Sequence, residues 1–159
     1  MYKGQFKNGL KHGHGKWRKC KAGGFPSDTQ EMGSTNYSRL SQYRSNNYEG
    51  EYVEDKKHGY GVFEWESGNV YSGFYNNDER HGYGVMRWTD SSTYMGTWEA
   101  GIQQGVGIMI FADGTRRAGF FDQNLFVKSI KQNSDIDPYR AILDPECIAE
   151  LEKFVEEYQ

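Results

Sequence analysis

The sequence predicts an all-β repeat protein, an elongated single-layer antiparallel β-sheet of tandem 23-residue hairpins with a C-terminal α-helix. Three observations support this fold class. Aromatic residues make up 16% of the chain and glycines are 20 of its 159 residues, a composition that suits a sheet covered by rings better than a thick aliphatic core. Glycines and rings recur with one fixed period, and the last residues change to a helical pattern.

The repeat is visible as Gly and aromatic residues that return every 23 residues between residues 48 and 121. An earlier unit, at residues 2–17, keeps the same phase. Within each unit, two short strand-like stretches flank a polar turn, which predicts one β-hairpin per unit. The positions that keep the step are Tyr48, Tyr71 and Tyr94; Gly50, Gly73, Gly96 and Gly119; Gly61, Gly84 and Gly107; Tyr52, Tyr75 and Trp98; Trp65, Trp88 and Phe111.

This unit, Tyr-x-Gly-x-aromatic followed by a polar turn and Gly-x-Gly, resembles the MORN repeat (membrane occupation and recognition nexus). The resemblance covers residues 2–17 and 48–121. It implies a first repeat at 1–23, a polar insertion or loop at 24–47, three full repeats and a degenerate one at 48–126, and a tail at 127–159. The tail is expected to contain an amphipathic helix at about 145–158.

The glycines are interpreted as sites where a ring lies over bare backbone, a packing known as aromatic rescue. With the turn near residues 55–57, the expected register places Gly61 opposite Tyr52 and Phe63 opposite Gly50. The next unit would then bring Gly84 to Tyr75 and Met86 to Gly73. The structural glycines are Gly50, Gly61, Gly73, Gly84, Gly96 and Gly107.

The face opposite the rings changes character along the chain, because side chains alternate between the two faces of a sheet. It carries Glu49, Glu51 and Glu64 in the second unit, but apolar residues such as Val106 and Ile108 in the last units. This late apolar face needs a cover. The amphipathic segment that follows Asp144-Pro145 could provide it as a cap, or could dock on a partner; the sequence leaves both open.

Charge is distributed unevenly. Residues 1–21 contain seven Lys or Arg residues and no acid, and the net charge of −3 therefore leaves −10 for the rest of the chain. The basic end is either a solvated sheet face or a candidate patch for anionic lipid or an acidic partner, with Lys3, Lys7, Lys16, Arg18 and Lys19 as its residues. The acidic remainder disfavours nucleic-acid binding.

The cysteine pattern and the N-terminal residues favour an intracellular protein. Cys20 and Cys147 are far apart in the sequence, which favours reduced thiols over a disulfide framework. The N-terminal residues contain no apolar signal region, and no stretch of the sequence has the length and hydropathy of a membrane helix.

The sequence predicts no enzyme, no cofactor and no metal. His12, His58 and His81 hold equivalent positions, but equivalent positions in successive hairpins lie about 9–10 Å apart, too far for one zinc ion. They are interpreted as turn histidines. Glutamates such as Glu49 and Glu64 lack a nucleophile or a cleft around them and are interpreted as a solvated face.

Rows of rings predict a non-catalytic scaffold or adaptor that binds partner proteins through an aromatic-lined groove of the sheet, with an extended or helical segment of the partner in it. The expected partner-binding residues are Tyr52, Tyr71, Tyr75, Tyr94 and Trp98. The resemblance implies a component of the ciliary or flagellar axoneme, such as a radial spoke or sperm flagellum, with axonemal or cytoskeletal partners. It also implies two alternatives, a phosphoinositide- or membrane-binding module and a regulatory subunit of an enzyme.

Overall fold

The computed structural model describes residues 1–20 and 44–158, which form one ten-stranded antiparallel sheet followed by a helix. Every strand pairs with its neighbours in chain order, so the described residues build five consecutive hairpins. This confirms the predicted fold class. Most of the predicted insertion at 24–47 lies outside the described residues. The strands are β1 Tyr2–Lys7, β2 Leu10–Arg18, β3 Asn47–Val53, β4 Lys56–Glu64, β5 Val70–Asn76, β6 Glu79–Arg87, β7 Thr93–Glu99, β8 Ile102–Ile110, β9 Arg116–Asp122 and β10 Leu125–Ser129.

The register within the hairpins differs from the predicted one. Gly61 lies opposite Gly50 rather than Tyr52, and Phe63 lies opposite Tyr48 rather than Gly50. The expected pairs of Gly84 with Tyr75 and of Met86 with Gly73 are wrong in the same way, because Gly84 faces Gly73 and Met86 faces Tyr71. The cause is a β-bulge, in which residue 51 of β3 stands opposite three residues of β4, 58–60. β4 therefore has two more residues at this point than regular pairing would allow, and the pairs beyond the bulge are shifted by two.

The bulge lines the glycines up. Glycines of neighbouring strands face each other and form one row across the sheet, here called the glycine row: Gly4, Gly15, Gly50, Gly61, Gly73, Gly84, Gly96, Gly107 and Gly119. The ring of Tyr48 lies over two of them. A Cβ on Gly50 would lie 2.5 Å from the Tyr48 hydroxyl, and one on Gly61 would enter the same ring. The ring over each such pair of glycines therefore belongs to the tyrosine two residues before the first glycine of the pair.

The tyrosine hydroxyl also satisfies the backbone at the bulge. The Tyr48 hydroxyl donates to the carbonyl oxygen of Glu51 at 2.9 Å, and Tyr71 donates to that of Phe74 at 2.8 Å. On the partner strand, Gly59 holds the bulge with a φ of 70°, a left-handed conformation that glycine adopts without a steric penalty. The first glycine of each Gly-x-Gly therefore shapes the backbone, and the second accommodates the ring.

A non-repeating tail covers the other face of the last hairpins. Two 3₁₀ turns, Asn133–Asp135 and Asp137–Tyr139, lead into helix α1, Pro145–Glu157. The Asp144 side chain caps the helix by accepting the N–H of Glu146 at 2.9 Å. The tail and the sheet share a buried core: Val106, Ile108, Ala118, Ile130, Ile136, Leu143, Cys147, Leu151, Phe154 and Val155. Of the two roles that the sequence left open for the helix, the structure shows the cap.

Candidate functional site

The ring face is the sheet face that carries the glycine row and the tyrosines above it. Its rings meet edge to face from one hairpin to the next, which is a favoured geometry for aromatic pairs. Tyr48 and Tyr75 have centroids 5.5 Å apart at 90°, Tyr71 and Trp98 are 5.4 Å apart, and Tyr94 is 5.0 Å from Phe121. The rings thus form a continuous layer that links neighbouring repeats.

The five expected partner-binding residues all belong to this layer. Their exposed fractions are small, 4% for Tyr52, 0% for Tyr71, 6% for Tyr75, 0% for Tyr94 and 4% for Trp98. In residues 1–20 and 44–158, one single-layer sheet has buried these rings against one another. They form the floor of the ring face, and a partner would first contact the side chains around them.

The side chains that remain accessible on the ring face were not among the expected partner-binding residues. Trp65 and Trp88 are partly buried against the layer, and Phe111 is 38% exposed. These three lie where β4, β6 and β8 end and repeat every 23 residues, so the periodicity carried the signal that identifies them. Ring identity was predictable from the sequence, whereas ring exposure depends on the register.

Cations line the side of the layer that lies nearest the hairpin turns. The Lys57 ammonium lies 5.8 Å from the Tyr48 centroid and 5.7 Å from that of Tyr75, and the Arg80 guanidinium lies 4.9 Å from Trp98. Lys57 also pairs with Asp78 at 3.2 Å. These contacts hold the aliphatic stems over the rings, while the charged groups lie at the rim, where Lys57 pairs with Asp78 and Arg80 donates to the carbonyl oxygen of Gly101.

Burial keeps the tyrosine hydroxyls protonated. It raises the pKa of Tyr52 to about 12 and moves the pKa values of Tyr71 and Tyr94 further in the same direction. Near neutral pH the hydroxyls therefore stay protonated, and those of Tyr71 and Tyr94 donate to the carbonyl oxygens of Phe74 and Thr97. Such a face is suited to binding, and its tyrosines are poorly suited to acid–base chemistry.

The basic residues at the N-terminal end are exposed on β1, on β2 and just after it. Lys3 and Lys16 face each other across these strands, on the face opposite the rings. The Lys16 ammonium lies 3.1 Å from Glu49, so part of the positive charge is balanced locally. The remaining candidate residues, Lys7, Arg18 and Lys19, are also exposed.

The periodic histidines are not in turns, so that interpretation was wrong. His12, His58 and His81 lie within strands, each just before a glycine with positive φ at a bulge. In the part of the chain that the structure describes, no group of three His, Cys, Asp or Glu residues is arranged to hold a metal ion.

The two cysteines lie in different environments. Burial raises the pKa of the Cys147 thiol to about 12, and its sulfur lies 3.7 Å from the carbonyl oxygen of Met95. This thiol is therefore protonated and inaccessible, as expected for a core residue. Cys20 is exposed, and its sulfur lies 3.5 Å from the terminal amino group.

The family model of the MORN repeat matches residues 2–21, 48–70, 71–93 and 94–116, more than half of the chain. The chain belongs to the MORN-repeat family. The matched stretches coincide, to within one residue at the start of β3, β5 and β7, with the hairpins β1–β2, β3–β4, β5–β6 and β7–β8, which confirms the resemblance found in the sequence. The comparison with curated proteins finds no match to the chain.

Family membership indicates a protein- or membrane-binding repeat module, of a kind that generally serves in non-catalytic scaffolds. In residues 1–20 and 44–158, no helix has the length and hydropathy needed to cross a membrane. The ring face is therefore the candidate interface of a MORN-repeat protein, with the tyrosine layer as its floor.

Proposed function

We propose that this MORN-repeat protein is a non-catalytic scaffold or adaptor that binds a segment of a partner protein on its ring face. The observation that carries the proposal is the continuous layer of rings across the hairpins, with Trp65, Trp88 and Phe111 accessible above it. Tryptophan and tyrosine are enriched among residues that dominate binding energy, and this layer offers them in one row.

The layer is suited to binding because it is ordered before a partner arrives. The buried rings of Tyr48, Tyr71 and Tyr94 each donate a hydrogen bond to a backbone carbonyl and lie against the glycine row, so little side-chain entropy remains to be lost. Tyr52, Tyr71, Tyr75, Tyr94 and Trp98 would support the contact from below. At the rim, Lys57 is balanced by Asp78, and the Arg80 guanidinium beside Trp98 leaves a positive charge that favours a partner segment combining apolar side chains with an acidic one.

We further propose that the partner is an axonemal or cytoskeletal protein of a cilium or flagellum. The support is the family resemblance, because MORN-repeat proteins are commonly structural parts of these assemblies. A regulatory subunit of an enzyme would use the same face on a different partner.

The test is capture from ciliated cells by the immobilised chain, read by mass spectrometry. We expect proteins retained by the wild type to be lost when Trp65→Ala and Trp88→Ala are combined. Tyr158→Ala is the matched control, because it removes a ring that is 69% exposed at the end of α1, away from the ring face. Circular dichroism verifies that each variant is folded. Equal capture by all folded variants, or equal loss in the control, would contradict the proposal.

A membrane surface is the second candidate partner. The observation that favours it is the exposed basic end, where Lys3 and Lys7 accompany exposed apolar side chains at Met1 (68%) and Phe6 (63%). Sedimentation with phosphoinositide vesicles and with neutral vesicles tests it. If lipid is the partner, the chain should sediment with the anionic vesicles, and Lys3→Glu with Lys7→Glu should abolish this.

A further inference from the structure

A second apolar surface lies on the face opposite the rings, beside the tail. Tyr60 is 47% exposed, Phe74 is 45% exposed and Ile142 of the tail is 50% exposed. The rings of Tyr60 and Phe74 are in contact, with centroids 5.5 Å apart at 75°. Phe74, Tyr83 and Ile142 also line an open depression of about 450 Å³. We call Tyr60, Phe74, Tyr83 and Ile142 the uncovered strip.

The uncovered strip continues an interface that already exists in the molecule. Tyr83 packs against the core that the tail forms with the sheet, and Ile142 immediately precedes the buried Leu143. The cover therefore stops at β6, while the apolar side chains of the same sheet face extend to β5 and β4. A segment bound at the strip would lie next to the tail and would continue the apolar cover that the tail provides to the sheet.

The width of the strip suits a single helix. Tyr60, Phe74 and Tyr83 belong to the consecutive strands β4, β5 and β6. Three neighbouring strands span about 10 Å, which is close to the diameter of one α-helix with its side chains. An amphipathic helix could cover the strip with its apolar stripe and leave its polar side in water.

Carboxylates flank the strip on both sides. On the β3 side, the Glu51 carboxylate accepts the N–H of Tyr60 at 2.7 Å, which fixes a negative charge beside the first ring. On the tail side, Asp144 and Glu146 stand at the start of α1, and both act electrostatically on Tyr83. The sheet face also carries Arg87, which acts on the same Tyr83. Three carboxylates therefore stand against one guanidinium around the strip, and His58 and His81 also line the depression.

We propose that the uncovered strip is a docking site for an amphipathic helix of a partner protein that carries basic residues on the flanks of its apolar stripe. The site is distinct from the ring face and does not rest on the function proposed for it. A second copy of this chain is a poorer occupant, because a two-fold contact would bring the same carboxylates together.

The experiment uses the full chain and three labelled peptides of equal length: an amphipathic Leu/Lys helix, an amphipathic Leu/Glu helix and a scrambled Leu/Lys peptide. Fluorescence anisotropy measures binding. We expect the Leu/Lys helix to bind with the highest affinity of the three peptides. Phe74→Glu should increase the affinity for none of them, and should lower that for the Leu/Lys helix by about tenfold or more through loss of the apolar contact. The matched control is Val127→Glu, which adds the same charge at a side chain that is 59% exposed on β10.

A charge reversal separates this site from general attraction to an acidic protein. Glu146→Lys should weaken the Leu/Lys helix and improve the Leu/Glu helix, whereas Trp88→Ala on the ring face should change neither. Failure of the Leu/Lys helix to bind, equal binding of the scrambled peptide, or equal loss in Val127→Glu would overturn the proposal. A dimer in light scattering that Phe74→Glu dissociates would also overturn it, in favour of a second copy.

Discussion

The two faces of the sheet are stabilised in different ways. The ring face covers itself: Tyr71 lies over Gly73 and Gly84, and its hydroxyl reaches a carbonyl three residues away, so the arrangement is contained in one repeat and is made again in the next. In the part of the chain that the structure describes, the opposite face has no comparable layer of rings over glycines. Its apolar part, around Val106 and Ile108, is buried by a tail that occurs once.

This difference shows which side-chain packing a repeated sequence can provide and which packing needs a segment outside the repeats. A period of 23 residues reproduces local packing at every step, and the ring layer therefore extends across the described sheet. Burial of the opposite face depends on a non-repeating segment of limited length. That face is accordingly buried near α1, apolar and partly exposed at the uncovered strip, and polar near Glu49.

Alkaline pH should break the ring face and the fold with it. Burial raises the pKa of Tyr52 to about 12, and the pKa values of Tyr48, Tyr71, Tyr75 and Tyr94 also lie above the ordinary value of 10. A raised folded-state pKa contributes stability that is complete below pH 10 and is lost as pH rises through the folded value. We expect circular dichroism to report cooperative unfolding above pH 10, together with a rise in tyrosinate absorbance. Gradual ionisation near pH 10 without unfolding would show that the rings are accessible.

Tyr71→Ala should give the largest loss among single substitutions. It removes a fully buried ring from the layer and leaves a cavity over the glycine row, at a cost of about 3–5 kcal/mol in urea unfolding. Tyr60→Ala is the control on the opposite face, where the ring is 47% exposed, and should cost less than about 1 kcal/mol. Similar costs for the two variants would mean that the ring face is no more a core than the opposite face.

Leu151→Ala tests the opposite face in its covered part. Leu151 is fully buried between α1 and the sheet, so truncation should cost roughly 2–5 kcal/mol. The near-ultraviolet circular dichroism of the ring layer should persist below the transition, because that layer is built without the tail. Lys153→Ala, at an exposed position of the same helix, should leave stability unchanged. Early loss of the aromatic signal in Leu151→Ala would show that the two faces are coupled.

Some of this architecture could be predicted from the sequence because its cause is local. The 23-residue step fixed the hairpins, and Asp144-Pro145 marked the start of α1, where the Asp144 cap is observed. The register could not be obtained in this way. Gly59 and Gly61 look alike in the sequence, yet the first shapes a bulge with positive φ and the second lies under a ring.

The exposure of the candidate site residues could not be predicted from the sequence pattern either. Periodicity identified the rings on one face, but their exposure follows from how they pack on the glycine row and on one another. Tyr71 and Tyr94 are completely buried as a result, whereas Phe111, at the end of β8, is not. The uncovered strip depends on where the tail stops, which is a property of the folded chain as a whole.

Gly73→Val tests the packing that the sequence anticipated with the wrong partner. Valine favours strands, so intrinsic propensity alone predicts a gain. In the structure, a Cβ at Gly73 would lie 2.7 Å from the Tyr71 hydroxyl and 2.7 Å from the carbonyl oxygen of Tyr83, and it would also meet the backbone of Gly84. Backbone cannot move aside as a flexible side chain can, and we therefore expect a loss of about 1–3 kcal/mol in urea unfolding, as for overpacking.

The control is Ser72→Val, one residue earlier. It also introduces a valine into β5, but on the opposite face, where the side chain is half-buried and points away from the glycine row. Its unfolding free energy should stay within about 0.5 kcal/mol of the wild type. A Gly73→Val variant as stable as Ser72→Val would mean that no ring lies over Gly73, and the self-covering character of the ring face would then need another explanation.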